Sequence, residues 1–147
     1  MARAGVDLTQ AAAELIDAFN EADWERFRGV LAPDAVYAET GTGRRVEGPD
    51  AYVELCQGWK DAFPDVRGTI RAAVAGDDTV AQELLWEGTH TGAMPTPGGT
   101  LEPSGAQIRV EASLWAQFDG GKAREVHHYL DVLTLLQQIG AIPPELT

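Results

Sequence analysis

The sequence predicts one α+β domain in which three N-terminal helices cover the concave face of a curved, mostly antiparallel sheet. Two patterns indicate this fold. Apolar residues recur every three or four positions through the first half of the chain, and apolar runs separated by Gly-Asp and Gly-Gly turns fill the second half. The 147 residues, 44% of them apolar, suffice for one packed core. A sheet covered in this way encloses a conical interior that suits a small-molecule site.

The first half of the chain is expected to be mainly helical. The expected elements are helices over 7–20, 23–31 and 49–63, with short strands over 34–39 and 45–47. Pro33 and Pro64 end the second and third helices, because the residue before a proline avoids the helical region. Pro49 stands near the first position of the third helix, where its missing N–H costs nothing.

The second half of the chain is expected to form the meander of the sheet. The expected elements are strands over 66–74, 79–90, 107–119 and 122–131, followed by a short helix over 132–139. Tight turns at 76–78 and at Gly120-Gly121 join neighbouring strands into hairpins. A Gly- and Pro-rich loop over 91–103 separates the second long strand from the third.

The composition excludes several classes of partner. The net charge of −12 argues against nucleic acid and against an anionic membrane surface, since both require clustered Lys and Arg. No apolar run approaches the length of a membrane span, and the first eight residues do not resemble a signal peptide. Cys56 is the one cysteine, so an intrachain disulfide is impossible. We therefore expect a cytoplasmic protein.

The last strand carries the residues with the clearest chemical potential. His127, Tyr129 and Asp131 share one face by alternation, and His128 lies on the other face. Alternation alone does not decide which face lines the interior, because both faces of this hairpin are substantially apolar. A carboxylate among apolar neighbours has a raised pKa and can shuttle protons near neutral pH, which makes Asp131 the candidate acid or base. The alternative is that Asp131 caps the final helix.

Other polar and aromatic residues supply candidates for ligand contacts. His90 ends the second long strand, where it either meets a substrate oxygen or satisfies a backbone carbonyl. A zinc site is disfavoured, because His127 and His128 point to opposite sides of their strand. Most aromatic residues belong to the core, but some are expected to wall the pocket. The candidate substrate-binding residues are Tyr37, Trp59, Trp86, Trp115, Gln117 and Tyr129.

Four segments taken together resemble one known family. They are Gly88-Thr89-His90-Thr91-Gly92, Asp119-Gly120-Gly121-Lys122, Glu125-Val126-His127-x-x-x-Asp131 and Leu135-Leu136-Gln137-Gln138-Ile139-Gly140. This combination resembles the SnoaL-like polyketide cyclases of the nuclear-transport-factor-2-like superfamily, and the resemblance covers nearly the whole chain. It implies a cone-shaped α+β barrel.

The resemblance also implies a reaction and a site. It implies a cofactor-free intramolecular aldol ring closure of a small aromatic polyketide, with Asp131 as acid and base and His90 orienting the acid or polarising a carbonyl. It turns the row of His127, Tyr129 and Asp131 towards the pocket. No metal is implied, and a homodimer or homotetramer is expected through the exposed sheet.

Two departures from the family pattern keep other functions open. Many relatives have Trp at the position of His127 and Arg at the position of Gln117. A changed pair at these positions allows a different substrate or reaction. The alternatives are a hydratase, isomerase or hydroxylation-assisting enzyme of the same fold, or a non-catalytic binding or dimerisation module.

Overall fold

The computed structural model describes residues 7–96 and 98–142, and it confirms the α+β fold. A six-stranded curved sheet has the order β2-β1-β8-β7-β4-β3, and β5 and β6 form a separate hairpin. The helices are α1 (Leu8–Asn20), α2 (Trp24–Val30), α3 (Pro49–Ala62) and α4 (Val132–Gln138). The strands are β1 (Leu31–Thr40), β2 (Arg44–Glu47), β3 (Arg67–Ala75), β4 (Thr79–Thr89), β5 (Met94–Thr96), β6 (Gly99–Leu101), β7 (Gln107–Asp119) and β8 (Lys122–Leu130).

Local sequence signals determine where the helices begin. The carboxylates of Asp7 and Asp23 accept hydrogen bonds from the first turns of α1 and α2, which satisfies amides that have no partner within the helix. Gly48 precedes α3 with a φ of 91°, a conformation that side chains other than glycine rarely adopt, and Pro49 follows as the first helical residue. The three N-terminal helices pack their apolar stripes against the sheet and against one another.

Strands β1 and β8, which lie far apart in the sequence, are neighbours within the sheet. β8 pairs antiparallel with β7 on one side and parallel with β1 on the other. The parallel register sets Tyr37 opposite Val126 and Glu39 opposite His128. Residues of β1 and β8 that lie opposite each other therefore face the same side of the sheet, and this pairing brings Tyr37 and Glu39 close to His128.

Three details differ from the sequence-based expectation. The loop over 91–103 contains the short β5–β6 hairpin. β1 begins at Leu31, because the chain turns extended directly after Val30 and not only after Pro33. The strand order of the main sheet is linear, with β2 and β3 as its edges within the described residues, so the sheet is curved but does not close into a barrel. None of the described helices is long and apolar enough to cross a membrane.

Candidate active site

A cavity lies between the helices and the concave face of the sheet, with a volume of about 70 Å³. One water molecule needs roughly 10–15 Å³ counted in the same way, so the cavity offers room for several water molecules or a small organic molecule. Aliphatic side chains such as Leu15, Ile16, Val110 and Leu114 form much of its wall. The lining residues that carry a polar atom in the side chain are Tyr37, Tyr52, Cys56, Trp59, Trp86 and His128.

A continuous chain of hydrogen bonds crosses one wall of this cavity. Trp86 Nε1 lies 3.2 Å from His128 Nε2, and His128 Nδ1 lies 2.8 Å from the Tyr37 hydroxyl. The Tyr37 hydroxyl in turn lies 2.6 Å from Glu39 Oε2. An indole N–H only donates and a carboxylate only accepts, so all directions are determined. Trp86 donates to His128, His128 donates through Nδ1–H to Tyr37, and Tyr37 donates to Glu39. His128 is therefore the tautomer that carries its proton on Nδ1.

The Glu39 carboxylate is the anionic end of this chain, and its side chain is 0% exposed. Oε2 also accepts from Trp59 Nε1 at 3.0 Å, and Oε1 accepts from Thr42 and from two nitrogens of Arg44. Burial by itself raises the pKa of Glu39, but the hydrogen bonds from Thr42 and Tyr37 and the Arg44 guanidinium together lower it below its ordinary value. Glu39 is therefore a stable buried anion, paired and fully hydrogen-bonded.

The neighbours of this anion are held neutral. Burial lowers the pKa of His128 to about 4, although the Glu39 charge opposes the change. Burial, and then the charge of Glu39, raise the pKa of Tyr37 well above its ordinary value. Burial likewise raises the pKa of the Cys56 thiol, which leaves it protonated. At neutral pH the cavity wall thus presents a neutral imidazole whose Nε2 lone pair meets only the Trp86 N–H.

The position of Trp86 depends on the glycine opposite it. Gly68 on β3 is the cross-strand partner of Trp86, and a Cβ on Gly68 would come within 2.5 Å of the indole ring. The Asn20 side chain fixes this glycine by accepting from its N–H and donating to its carbonyl, at 2.8 and 2.9 Å. The bare backbone of Gly68 lets the indole lie across β3 and reach His128.

The row formed by His127, Tyr129 and Asp131 does not face the cavity, so that expectation is wrong. Val126 and His128 are buried on the inner face of β8, which places His127 and Tyr129 on the outer face by alternation, where Tyr129 is 46% exposed. Asp131 is exposed and caps α4, accepting from the N–H and the hydroxyl of Thr134 at 3.1 and 2.6 Å. These contacts agree with the alternative interpretation, in which Asp131 caps the final helix.

Trp115 and Gln117 also lie on the outer face, because the inner positions of β7 alternate with theirs and are buried. Trp115 is 47% exposed and stands directly opposite His127, and its indole N–H donates to Ser113. The expectation that Trp115, Gln117 and Tyr129 line the interior is therefore wrong. Tyr37, Trp59 and Trp86 do line the cavity. Whether these three bind a ligand stays a prediction.

His90 is buried outside the lining of the cavity. Its Nδ1 accepts the backbone N–H of Ser104 at 3.1 Å and lies 2.9 Å from the Ser104 hydroxyl, so the ring proton is on Nε2. The ring packs 5.1 Å from that of Phe63, which lines the cavity. The polar contacts of His90 go to Ser104 and those of Asp131 to Thr134, so the two candidate catalytic residues do not meet.

Two residues of the hydrogen-bonded chain from Trp86 to Glu39 are not predicted as site residues from the sequence. Strand alternation puts His128, which lines the cavity, on the face opposite the expected site, and Glu39 lies behind Tyr37, outside the lining. A signal existed for Glu39, since it follows Tyr37 by two positions on a strand whose alternate residues are apolar, and a carboxylate there needs a partner. No group of three His, Cys, Asp or Glu side chains that could hold a metal ion occurs within residues 7–96 and 98–142.

Comparison with solved structures places the chain among α+β proteins with this curved sheet. A candidate SnoaL-like polyketide cyclase from Jannaschia sp. CCS1 superposes with a TM-score of 0.83 at 19% identity, covering 97% of this chain and 99% of the other. IdmH from Streptomyces antibioticus, a candidate polyketide cyclase, gives 0.78 at 27% identity, covering 91% and 99%. AclR from Streptomyces galilaeus, a candidate hydroxylase, gives 0.77 at 24% identity, covering 92% and 86%.

The family itself follows from the sequence match. The family model for SnoaL-like polyketide cyclase matches residues 9–139, which is most of the chain. The chain therefore belongs to the SnoaL-like polyketide cyclase family. A search of curated proteins finds no match.

Proposed function

We propose that this protein is a cofactor-independent cyclase-like enzyme that closes a ring in a small aromatic polyketide by acid–base catalysis, with His128 as the base. Family membership supports the reaction class. The observation that carries the assignment is the neutral His128 on the cavity wall, linked through Tyr37 to the buried Glu39 carboxylate. The imidazole is unprotonated at neutral pH, its Nε2 lone pair meets only the Trp86 N–H, and the Glu39 charge partly offsets the burial that disfavours an imidazolium.

The proposed first step is removal of a proton from the carbon next to a ketone. His128 Nε2 accepts this proton after giving up its hydrogen bond from the Trp86 N–H. At 3.2 Å that bond is the longest of the three that link Trp86, His128, Tyr37 and Glu39, so it is the easiest to break. The freed Trp86 N–H then donates to the enolate oxygen, so one exchange of partners supplies both the base and an oxyanion donor. The positive charge on His128 is balanced through Tyr37 by Glu39.

The second step forms the ring and returns the proton. The enolate carbon attacks a second carbonyl of the same molecule, and the resulting alkoxide takes the proton back from His128 Nε2. A new carbon–carbon bond and a hydroxyl result, and the protein ends in its starting state. No oxidant, reductant or cofactor is consumed.

The assignment of Asp131 and His90 as catalytic residues from the family resemblance, and of His127 from the residue pattern of the last strand, remains a prediction. In its favour is the match of Asp131 to the family's strand-end aspartate. Against it are the exposure of Asp131, its capping contacts with Thr134 and its position outside the cavity lining. The two assignments predict opposite mutational results.

Hydrogen exchange at carbon separates these assignments. The probe is 2-tetralone, a two-ring aromatic ketone, in buffered D₂O, with deuterium incorporation at C1 followed by NMR. His128→Gln should slow the protein-catalysed exchange by on the order of 10²–10⁴-fold, while Asp131→Asn, which keeps a helix cap, should retain it. Exchange lost in Asp131→Asn and kept in His128→Gln would instead favour the strand-end aspartate, and absence of exchange with the wild type would count against proton abstraction. Circular dichroism confirms that each variant is folded.

A hydratase or a hydroxylation-assisting enzyme is the second candidate, since His128 can activate water as well as a C–H bond. The fold similarity to AclR, a candidate hydroxylase, supports this second candidate. Incorporation of ¹⁸O from labelled water into product, beyond carbonyl exchange, would select this candidate over ring closure.

A further inference from the structure

Lys60 lies at the rim of the cavity. It follows the cavity-lining Cys56 by four residues on α3, so the two residues share one side of the helix. The Lys60 ammonium lies 4.5 Å from the centre of the Phe19 ring and donates to the Val66 carbonyl at 3.4 Å. Phe19 and Val66 also line the cavity, so the positive charge is held at its edge.

This ammonium has no acidic partner among the described residues, although the protein carries a net charge of −12. Most described arginines are paired with a carboxylate within 4.0 Å: Arg26, Arg28, Arg44, Arg45, Arg71, Arg109 and Arg124. Lys60 uses one of its three N–H donors on a backbone carbonyl and lies partly buried. Burial lowers the pKa of Lys60, Cys56 opposes this change, and the positive charge of Arg67 lowers the pKa further. Because Arg67 is near enough to act on Lys60, an anion placed here would interact with both positive charges.

The rim leads directly to the proposed base. The Phe19 ring lies 5.2 Å from that of Trp86, and the Trp86 ring lies 5.9 Å from that of His128. Trp86, like Trp59 and Leu130, is a cavity-lining residue that is partly exposed. A molecule held by Lys60 would rest its ring on Phe19 and Trp86 and extend towards His128.

We propose that Lys60, supported by Arg67, binds the carboxylate of an aromatic keto acid whose ring enters the cavity. This deepens the proposed function, and rests on it in assuming that the cavity receives the ligand. Stabilisation of the helix alone does not account for the contacts of Lys60. A cation in the last turn of α3 favours the helix dipole, but this ammonium donates to Val66, beyond the end of the helix.

Binding of a matched ligand pair tests the proposal. The probes are 2-naphthoate and its neutral isostere 2-naphthamide, with affinity measured by isothermal titration calorimetry. A charge-assisted hydrogen bond should favour the carboxylate by on the order of 10- to 100-fold in the wild type. Lys60→Met should abolish this preference while keeping the affinity for the amide. Lys122→Met is the matched control and should keep the preference, because Lys122 donates to the Gly29 carbonyl at a distant site.

Equal affinity of the wild type for both probes, or a preference that survives in Lys60→Met, would overturn the proposal. Lys60 and Lys122 are the two lysines of the chain, so ¹³C-methylated lysine signals provide a second measurement on folded wild-type protein. The Lys60 signal should shift more strongly with 2-naphthoate than with 2-naphthamide, and the Lys122 signal should stay unchanged with both. These experiments measure binding and not exchange, so they can fail or succeed independently of the role of His128.

Discussion

His128 makes the stability of this protein depend on pH in a defined window. Its folded-state pKa of about 4 lies below the value of about 6.5 for an exposed histidine. The unfolded chain therefore takes up a proton as the pH falls through 6.5, while the folded protein does not until about pH 4. The contribution of His128 to stability is complete above pH 6.5 and is lost progressively between pH 6.5 and pH 4.

The size of this loss follows from the two pKa values. A difference of about 2.5 pKa units, at about 1.4 kcal/mol per unit, amounts to roughly 3–4 kcal/mol over the whole window. Between pH 7 and pH 5 the expected loss is about 2 kcal/mol. The carboxylates with lowered pKa values, among them Glu39 and Asp65, contribute mainly below pH 5, since their pKa values in the unfolded chain are about 4.

Urea denaturation followed by tryptophan fluorescence measures this dependence. The free energy of unfolding of the wild type should fall by about 2 kcal/mol from pH 7 to pH 5. His128→Gln should be less stable at pH 7 but should show a nearly flat profile over the same interval. Parallel profiles for the two proteins would refute the argument, because they would mean that another group causes the dependence or that His128 is protonated in the folded state.

Four further substitutions test other parts of the structure. Glu39→Gln should destabilise the fold by roughly 2–4 kcal/mol in urea denaturation, because the amide nitrogen replaces one acceptor oxygen and leaves buried donors without a partner, an effect moderated by the exposure of the arginine partner. Gly68→Ala should cost about 1–3 kcal/mol and change the fluorescence of Trp86, because the new methyl group overlaps the indole. Asp131→Ala should lower the unfolding free energy by about 1 kcal/mol through loss of the helix cap. Asp131→Asn, which keeps a capping side chain, should recover this stability, and that recovery would confirm the cause. We also propose a homodimer through the outer face of the sheet; Trp115→Lys should then yield a monomer in light scattering, and a monomeric wild type would contradict this.

Local patterns in the sequence were sufficient for most of the elements. The 3.6-residue spacing predicted α1 and α3, and the turn at Gly120-Gly121 fixed the β7–β8 hairpin, with β7 found over 107–119 as expected. The pairing of β1 with β8 was beyond these patterns, because it joins segments about ninety positions apart and leaves no local signal.

The side of β8 that faces inward was also beyond alternation, because both faces carry apolar residues. The resemblance then favoured the face of Asp131, but this residue stands where β8 gives way to α4, and strand alternation no longer governs its direction. The polar partners that stabilise the buried Glu39 carboxylate come from the turn after β1, from β2 and from α3. Only the folded arrangement of Thr42, Arg44 and Trp59 reveals them.

The donors to the Glu39 carboxylate come from one short stretch of the sequence. Apart from His128, the residues bonded to this carboxylate or to Tyr37 lie between positions 37 and 59. Every described hydrogen-bond donor to the buried anion is thus contained in the segment that ends with α3. His128 lies about seventy residues further along the chain and is linked to the carboxylate through the Tyr37 hydroxyl. The hydrogen bonds that offset the burial of this charge are therefore short-range in sequence, and the pairing of β1 with β8 adds a neutral ring.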